Sequence, residues 1–470
     1  MNIEKVQKAF PTAVINKSAT ATTLMNFLEL PADVKSWLLQ KFTVRGELDA
    51  FGLSEYVKTK RLKPNDWNLK LLEARHSKDE QITLLTRVKI EFDYENDAVC
   101  YTLPEYGFPK KKKDAVTDWS IVSKNKSHLL NADGAWGEIT LVYDCGVVRL
   151  ADFTPLCPYT TDLDGFRNSR KQVDVDEWID ILLAGLNFNP EGFTEDEKLI
   201  LLQRFLPFVE KRLNMIELAI KGSGKSYCYS QLSCRNWMTS GTVSRATAFF
   251  NGTTKAVGYF GKYDNVIWDE VQSLKCTNPD ELNGTLKPYL ESGEIRVGNY
   301  CGTADAGLTL VGNIPIKDMN VEEYNMFATL PKLLKESAFL DRFAGIIEGW
   351  KIGRFTEDRK YDGWGISANY LTEIFHELRG EFYYRVIVDE MLEVEGPCDT
   401  RNFEAIKKNC TALLKLLFPH VTCRSDIKKE DFEKYCLEPA TRMRYAVLCQ
   451  LRMIDKEYDK VEMPMIKIKD

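Results

Sequence analysis

Eight residues constrain this chain more than any others. Ala219-Ile220-Lys221-Gly222-Ser223-Gly224-Lys225-Ser226 directly follows the apolar run Met215-Ile216-Glu217-Leu218 and precedes a helix-like segment. A strand feeding a glycine-rich turn and then a helix lets backbone N–H groups curl around a phosphate, so the segment reads as a P-loop. Gly222 and Gly224 permit the turn and Ser223 lies within it. Lys225 would reach the terminal phosphates of a nucleotide, and the Ser226 hydroxyl would bind its Mg²⁺. Ala219 stands where a glycine is usual, at a position that needs a small residue more than a free φ. Such a loop belongs at the end of a strand in a parallel sheet flanked by helices, which makes an α/β core the expectation.

Two later segments extend the pattern. Asn265-Val266-Ile267-Trp268-Asp269-Glu270 is an apolar strand closed by two acids. Read with the P-loop it is a Walker B element: Asp269 would hold Mg²⁺, directly or through water, and Glu270 would polarise the attacking water as general base. Leu308-Thr309-Leu310-Val311-Gly312-Asn313 is a third strand, ending in an amide that can sit between the other two and orient water against a γ-phosphate, the sensor-1 role of AAA+ ATPases. A water-activating base beside these strands predicts an ASCE-type ATPase using ATP and Mg²⁺ rather than a kinase.

Arginines and hairpins follow. Arg342, in Phe339-Leu340-Asp341-Arg342-Phe343, lies beyond the sensor strand, as does the finger with which ring ATPases touch a neighbour's γ-phosphate; an ion pair to an acid is the competing role. Arg401, opening a later helix, is the candidate for a sensor-2 arginine. The Asn-Gly turn in Phe249 to Lys255 and the stretch Leu290 to Ala306 read as inserted hairpins. Lys255 and Arg296 on them are candidates for phosphate contacts with DNA, against the alternative of solvated tips.

Periodicity divides the 470 residues into four regions. Residues 1–80 are helical, with apolar spacing in Leu24-Met25-Phe27-Leu28 and a helix start after Pro31. Residues 81–165 form a β-rich, OB-like module whose alternating runs are Arg87 to Tyr94, Glu138 to Tyr143 and Val147 to Leu150. The ATPase core spans 170–365 and a helical lid 366–470, with helices over Asn369 to Glu393, Asn402 to Phe418, Lys429 to Leu437 and Ala440 to Tyr458. Lys+Arg of 63 against Asp+Glu of 69 gives a net charge of −6, which excludes a generally basic nucleic-acid coat and makes any such site local. Lys110 to Lys113 is a solvated run or a phosphate contact. The 4 histidines and 12 cysteines are scattered without a zinc-ligand spacing, so buried reduced thiols are expected. The absence of a bilayer-length apolar stretch or an N-terminal signal pattern predicts a cytoplasmic protein with no membrane partner.

The motifs then acquire a family. Trp178-Ile179-Asp180, Phe205-Leu206-Pro207-Phe208-Val209-Glu210, Glu217-Leu218 before the P-loop, Trp268-Asp269-Glu270-Val271, Tyr289-Leu290-Glu291-Ser292-Gly293, Val311-Gly312-Asn313 and Leu340-Asp341-Arg342-Phe343 occur in an order that resembles the BrxL family. These are Lon-like AAA+ proteins of BREX phage-defence systems. The similarity covers residues 170 to 460, includes Leu413 to His420 in the lid, and is looser N-terminally. It implies a ring of six or stacked rings of six, related in architecture to MCM helicases, that binds duplex DNA in its channel and acts with other BREX-type proteins; contacts to phosphate rather than base edges would make that binding largely sequence-independent. Long members continue into a Lon-protease-like domain; no Ser-Lys dyad accompanies the motifs here, so no peptidase activity is expected. A remodeller of a protein partner, or a switch whose ATP site governs assembly, remains open beside the DNA-binding role.

Overall fold

The computed structural model describes residues 3–10, 13–17, 28, 30–44, 47–77, 81–130, 134–144, 146–156, 162–232, 235–314 and 320–469. They form two compact units: Thr20–Thr160, and Met1–Ala19 together with Thr161–Asp470.

In the smaller unit the helices Ala32–Phe42, Ala50–Lys60 and Pro64–His76 precede a closed barrel. The first begins after Pro31 as expected, whereas the spacing at 24–27 falls outside the described residues. The barrel strands are β1 Gln81–Asp93, β2 Ala98–Thr102, β3 Ala115–Thr117, β4 Ala135–Asp144 and β5 Val147–Pro155. They close in the order β1-β2-β3-β5-β4, antiparallel throughout except for the parallel pair β3-β5. Alternation along β1 sends Ile82, Leu84 and Val88 inward to meet Tyr101, Ile139, Leu141 and Leu150. The lysine run lies between β2 and β3, where Lys112 pairs with Glu91 at 2.9 Å.

The larger unit is built on five parallel strands: β6 Met215–Ala219, β7 Asn236–Thr239, β8 Asn265–Trp268, β9 Gly307–Asn313 and β10 Gly345–Ile347. Their order, β7-β8-β9-β6-β10, seats the Asn313 strand between the P-loop strand and the acidic strand. Ile216, Leu218, Val266, Leu308, Leu310 and Ile346 from the sheet share one core with Phe339, Phe343, Val447 and Leu451.

The units cut the chain differently from the four expected regions. Residues 14–16 pair antiparallel with Trp364–Ile366, and the Lys17 amine donates to the carbonyls of Ala184 and Gly185 at 3.0 and 2.6 Å, which joins the N-terminus to the ATPase unit. The helix Glu438–Ile454 contributes Ala446, Val447 and Leu451 to the sheet's core, so the lid packs within that unit as well. The expected helix over 369–393 is two, Ala368–Gly380 and Tyr383–Met391, followed by a strand, Leu392–Glu395. Leu392 and Val394 alternate with Glu393 and Glu395, the period of a strand, and the segment pairs with Met465–Ile468. Among the described residues the cysteines are unpaired, but Cys301, Cys398 and Cys423 are exposed rather than buried. No described helix is long and apolar enough to cross a membrane, and no described cluster of His, Cys, Asp and Glu has the makings of a metal site.

Candidate functional site

The P-loop leaves β6 and turns at two glycines with left-handed backbones, Gly222 at φ 80° and Gly224 at φ 76°. Space around a side chain at 222 is empty, whereas one at 224 would meet the Phe355 ring at 3.1 Å, so the second glycine also makes room for a neighbour. Lys225 begins the helix Lys225–Ser230, and its amine reaches back to the Ile220 carbonyl at 3.0 Å, the Ser223 hydroxyl at 3.3 Å and Asn313 Oδ1 at 3.1 Å. Burial pulls the Lys225 ammonium below the usual lysine range; Glu217 opposes that pull. The Ser226 hydroxyl donates to Asp269 Oδ2 at 3.1 Å. One end of the sheet thus brings together Ser223, Lys225, Ser226, Asp269 and Asn313. Ala219 is the exception among the P-loop candidates: its methyl is wholly buried and lies against Gly349, so it faces the core and not the loop's concavity.

Glu270 follows Asp269 at φ 50°, a left-handed conformation that a non-glycine residue adopts only when its surroundings impose it. Its N–H donates to Asp269 Oδ1 at 2.8 Å and its carbonyl accepts from the Ser273 hydroxyl at 3.0 Å, and the residue is exposed.

Four further residues support this site, and three of them, Arg204, Gln272 and Phe355, lie outside the motifs named above. Arg204 and Glu217 are both 0% exposed and form a bidentate pair beneath the loop, with the Arg204 Nη2 also donating to the Ser223 carbonyl at 3.3 Å. Burial alone would favour loss of the Arg204 proton, but the Glu217 charge holds the guanidinium's affinity above its usual range. The one signal in the sequence is Glu217 itself, an acid inside an otherwise apolar, wholly buried strand. Gln272 Oε1 accepts from the Asn313 N–H at 3.3 Å, and the Phe355 N–H donates to the Gly222 carbonyl at 2.8 Å.

A nucleotide with Mg²⁺ fits these residues. The loop's concavity is open at Gly222, the Lys225 amine is supplied with oxygen acceptors of the kind phosphate oxygens would replace, and a hydroxyl and a carboxylate stand side by side as hard oxygen donors for Mg²⁺.

Arg342 and Arg401 stand elsewhere. They line a cleft of about 620 Å³ that none of the P-loop residues, Asp269, Glu270 or Asn313 lines. Arg342 Nε lies 3.0 Å from Glu291 Oε2, and its Nη1 donates to the Ala338 carbonyl. Arg401 Nη1 donates to Asp341 Oδ2 at 2.7 Å and its Nη2 to Glu291 at 3.3 Å. Asp341 is also gripped by Arg444, itself 1% exposed, which donates as well to the Asp341 and Phe343 carbonyls at 3.0 and 2.7 Å. Burial alone would raise the Asp341 carboxyl; Arg444 and Arg401 bring it below the usual aspartate range. The acid that pairs with Arg342, the competing role expected for it, is Glu291. Arg401, expected at the nucleotide with the P-loop, is held in the Arg342 cluster because Asp399 caps its helix and aims the first turn at Asp341.

Both hairpins are present. Phe250–Asn251 pairs with Ala256–Val257 and Glu294–Val297 with Tyr300–Thr303, and the Phe250 and Tyr300 rings stack at 4.2 Å and 5°, joining one hairpin to the other. Lys255 is at an exposed turn with φ 57°. Arg296 is 73% exposed and pairs with Glu294 at 2.9 Å.

Comparison with known proteins adds the family. Residues 148–464 match the model described as Lon-like protease BrxL-like, ATPase domain, and residues 8–143 match the BREX system Lon protease-like protein BrxL N-terminal model. The Lon-like protease BrxL of Escherichia coli O9:H4 (strain HS) is 27% identical over 379 residues, 79% of this chain and 53% of that protein. Its counterpart from Bacillus cereus (strain H3081.97) is 29% identical over 303 residues, 64% of this chain and 43% of its own. The chain spans about half the length of these curated relatives.

Proposed function

Because the chain belongs to the BrxL family, we propose that it is an ATP-hydrolysing AAA+ ring protein that binds or encircles DNA in BREX-type defence against phage. The observation that carries the proposal is the division of its chemistry: Lys225, Ser226, Asp269 and Asn313 meet at one end of the sheet, while Arg342 lines a separate cleft. An arginine that lines a cleft apart from its own chain's P-loop is suited to serve a neighbour's nucleotide, and repeated head-to-tail contacts of that kind close into a ring, here six subunits or stacked sixes.

In this function Ser223, Lys225 and the loop's N–H groups bind the phosphates, and Ser226 and Asp269 hold Mg²⁺. When bound there, Mg²⁺ would supply charge neutralisation for the phosphates. Asn313 orients the attacking water and Glu270 accepts its proton. Arg342 approaches the adjacent subunit's γ-phosphate, and Arg401, which shares Glu291 with it, approaches from the same side. Lys255 and Arg296 supply phosphate contacts that multiply around the ring, which suits sequence-independent binding of duplex DNA. The barrel is of OB type, and other BREX-type defence proteins are the expected partners.

The test pairs two variants and a ligand. Lys225→Ala weakens ATP binding, whereas Glu270→Gln keeps it and loses roughly 10²- to 10⁴-fold in turnover. Wild-type assembly and turnover respond to duplex DNA at low salt. Normal turnover in Glu270→Gln overturns the chemistry; indifference to DNA replaces DNA with a protein cargo or an assembly switch.

A further inference from the structure

Glu291 occupies a junction. It is the penultimate residue of the helix Pro279–Ser292, after which the chain turns at Gly293, φ 80°, and enters the strand that carries Arg296. Helix end and hairpin base are tied together: the Ala304 N–H donates to the Gly293 carbonyl at 3.0 Å, the Arg212 guanidinium to the Ser292 carbonyl and the Arg212 N–H to the Asp305 carbonyl at 2.8 Å. A side chain at 293 would meet the Ala304 carbonyl at 2.8 Å, so the turn admits little but glycine.

The same helix grips the segment that carries Arg342. Asn283 Nδ2 donates to Glu336 Oε2 at 2.8 Å and the Lys287 amine pairs with Glu336, the residue before the turn Ser337–Leu340. One turn beyond Lys287, Glu291 faces Arg342 and Arg401 together. Its contact with Arg342 lacks hydrogen-bond alignment at Nε, and its side chain is 51% exposed. Arg342 is the more buried partner, 19% exposed, so it is the half-solvated carboxylate that a phosphate would replace. Asp341 differs, since the buried Arg444 holds it in place.

We propose that Glu291 is a positioning residue that restrains Arg342 and Arg401 in the resting subunit and yields them when the Arg296 hairpin shifts, coupling cargo at the hairpin to hydrolysis in the neighbouring subunit. The proposal rests on the trans-acting role of Arg342. It follows from connectivity: a displacement of the hairpin base moves the end of the helix, and the carboxylate held by that end leaves the guanidinium groups. Loss of its charge releases the Arg342 guanidinium toward an adjacent γ-phosphate, while Arg401 keeps its bond to Asp341.

The experiment measures turnover of assembled protein, with nucleotide affinity and thermal midpoint recorded for each variant. Glu291→Gln raises DNA-free turnover about fivefold, equivalent to about 1 kcal/mol, leaves nucleotide affinity unchanged, and brings further stimulation by duplex DNA close to onefold. Glu291→Asp, which keeps the charge, stays near wild type. The rise disappears when Glu291→Gln is combined with Arg342→Ala, a dependence that general loosening of the helix would not produce. Unchanged or reduced turnover in Glu291→Gln overturns the restraint. If Arg342→Ala alone hydrolyses like wild type, the trans role of Arg342 fails and the restraint with it. If wild type ignores DNA, the coupling to DNA cargo fails while the Arg342-dependent rise still supports the restraint.

Discussion

The two halves of the candidate machinery are built from opposite materials. Under the P-loop, Arg204 and Glu217 are sealed from water and bonded to each other and to the loop. At the arginine cleft, a half-exposed Glu291 meets the partly exposed Arg401 and the more buried Arg342. A buried ion pair cannot give up one partner without stranding a charge, whereas an exposed pair exchanges partners at small cost. The half that must hold a nucleotide in one geometry is therefore fixed, and the half that would meet a second subunit is exchangeable. Asp341 stands between them: one of its oxygens is locked to Arg444, the other is shared with the exposed Arg401.

The contrast breaks first at Arg204. Arg204→Ala leaves Glu217 unpaired in the core and should cost about 3–5 kcal/mol of stability, read as a lower denaturation midpoint, with weaker ATP binding because the Ser223 carbonyl loses a donor. A near-silent Arg204→Ala would mean that the fixed half is not fixed by this pair. Asp341→Asn should cost less, about 2–3 kcal/mol. The sign with pH is set by the depressed folded value: the aspartate's contribution is complete above about pH 4, its unfolded value, and is lost as the pH falls through the lower folded one. The stability difference between wild type and Asp341→Asn should accordingly narrow in acid. Smallest is the hairpin pair. Arg296→Ala with Lys255→Ala should change stability by under about 0.5 kcal/mol while lowering the salt slope of DNA binding by roughly one per cation removed from each contact set. A large loss of stability there would move the hairpins into the fixed half.

What was legible in the sequence follows the same division. Gly222 to Ser226, Asp269, Glu270 and Asn313 lie in contiguous motifs at strand ends, where local pattern and chemistry coincide. The Arg204–Glu217 pair joins two elements, and only an acid within a buried strand betrays it. β7 and β10 escape because they are the sheet's edges, one partly exposed at Trp237 and Met238 and the other three residues long. Arg401 was placed by its position in a helix, but its direction depends on Asp399 and Asp341, which sequence order cannot align. In the barrel, β2 and β3 are too short for alternation to stand out from their connections.

Glu270 carries a consequence for how variants of this protein would fare under selection. Its left-handed backbone, φ 50°, costs a side-chain-bearing residue about 1–2 kcal/mol that glycine would not lose. Improvement in heat resistance and improvement in turnover pull in opposite directions at this one position. A library sorted on melting temperature alone would enrich glycine at 270 and discard the side chain proposed as general base, so under the proposed function the strain would mark a position where stability and activity are opposed.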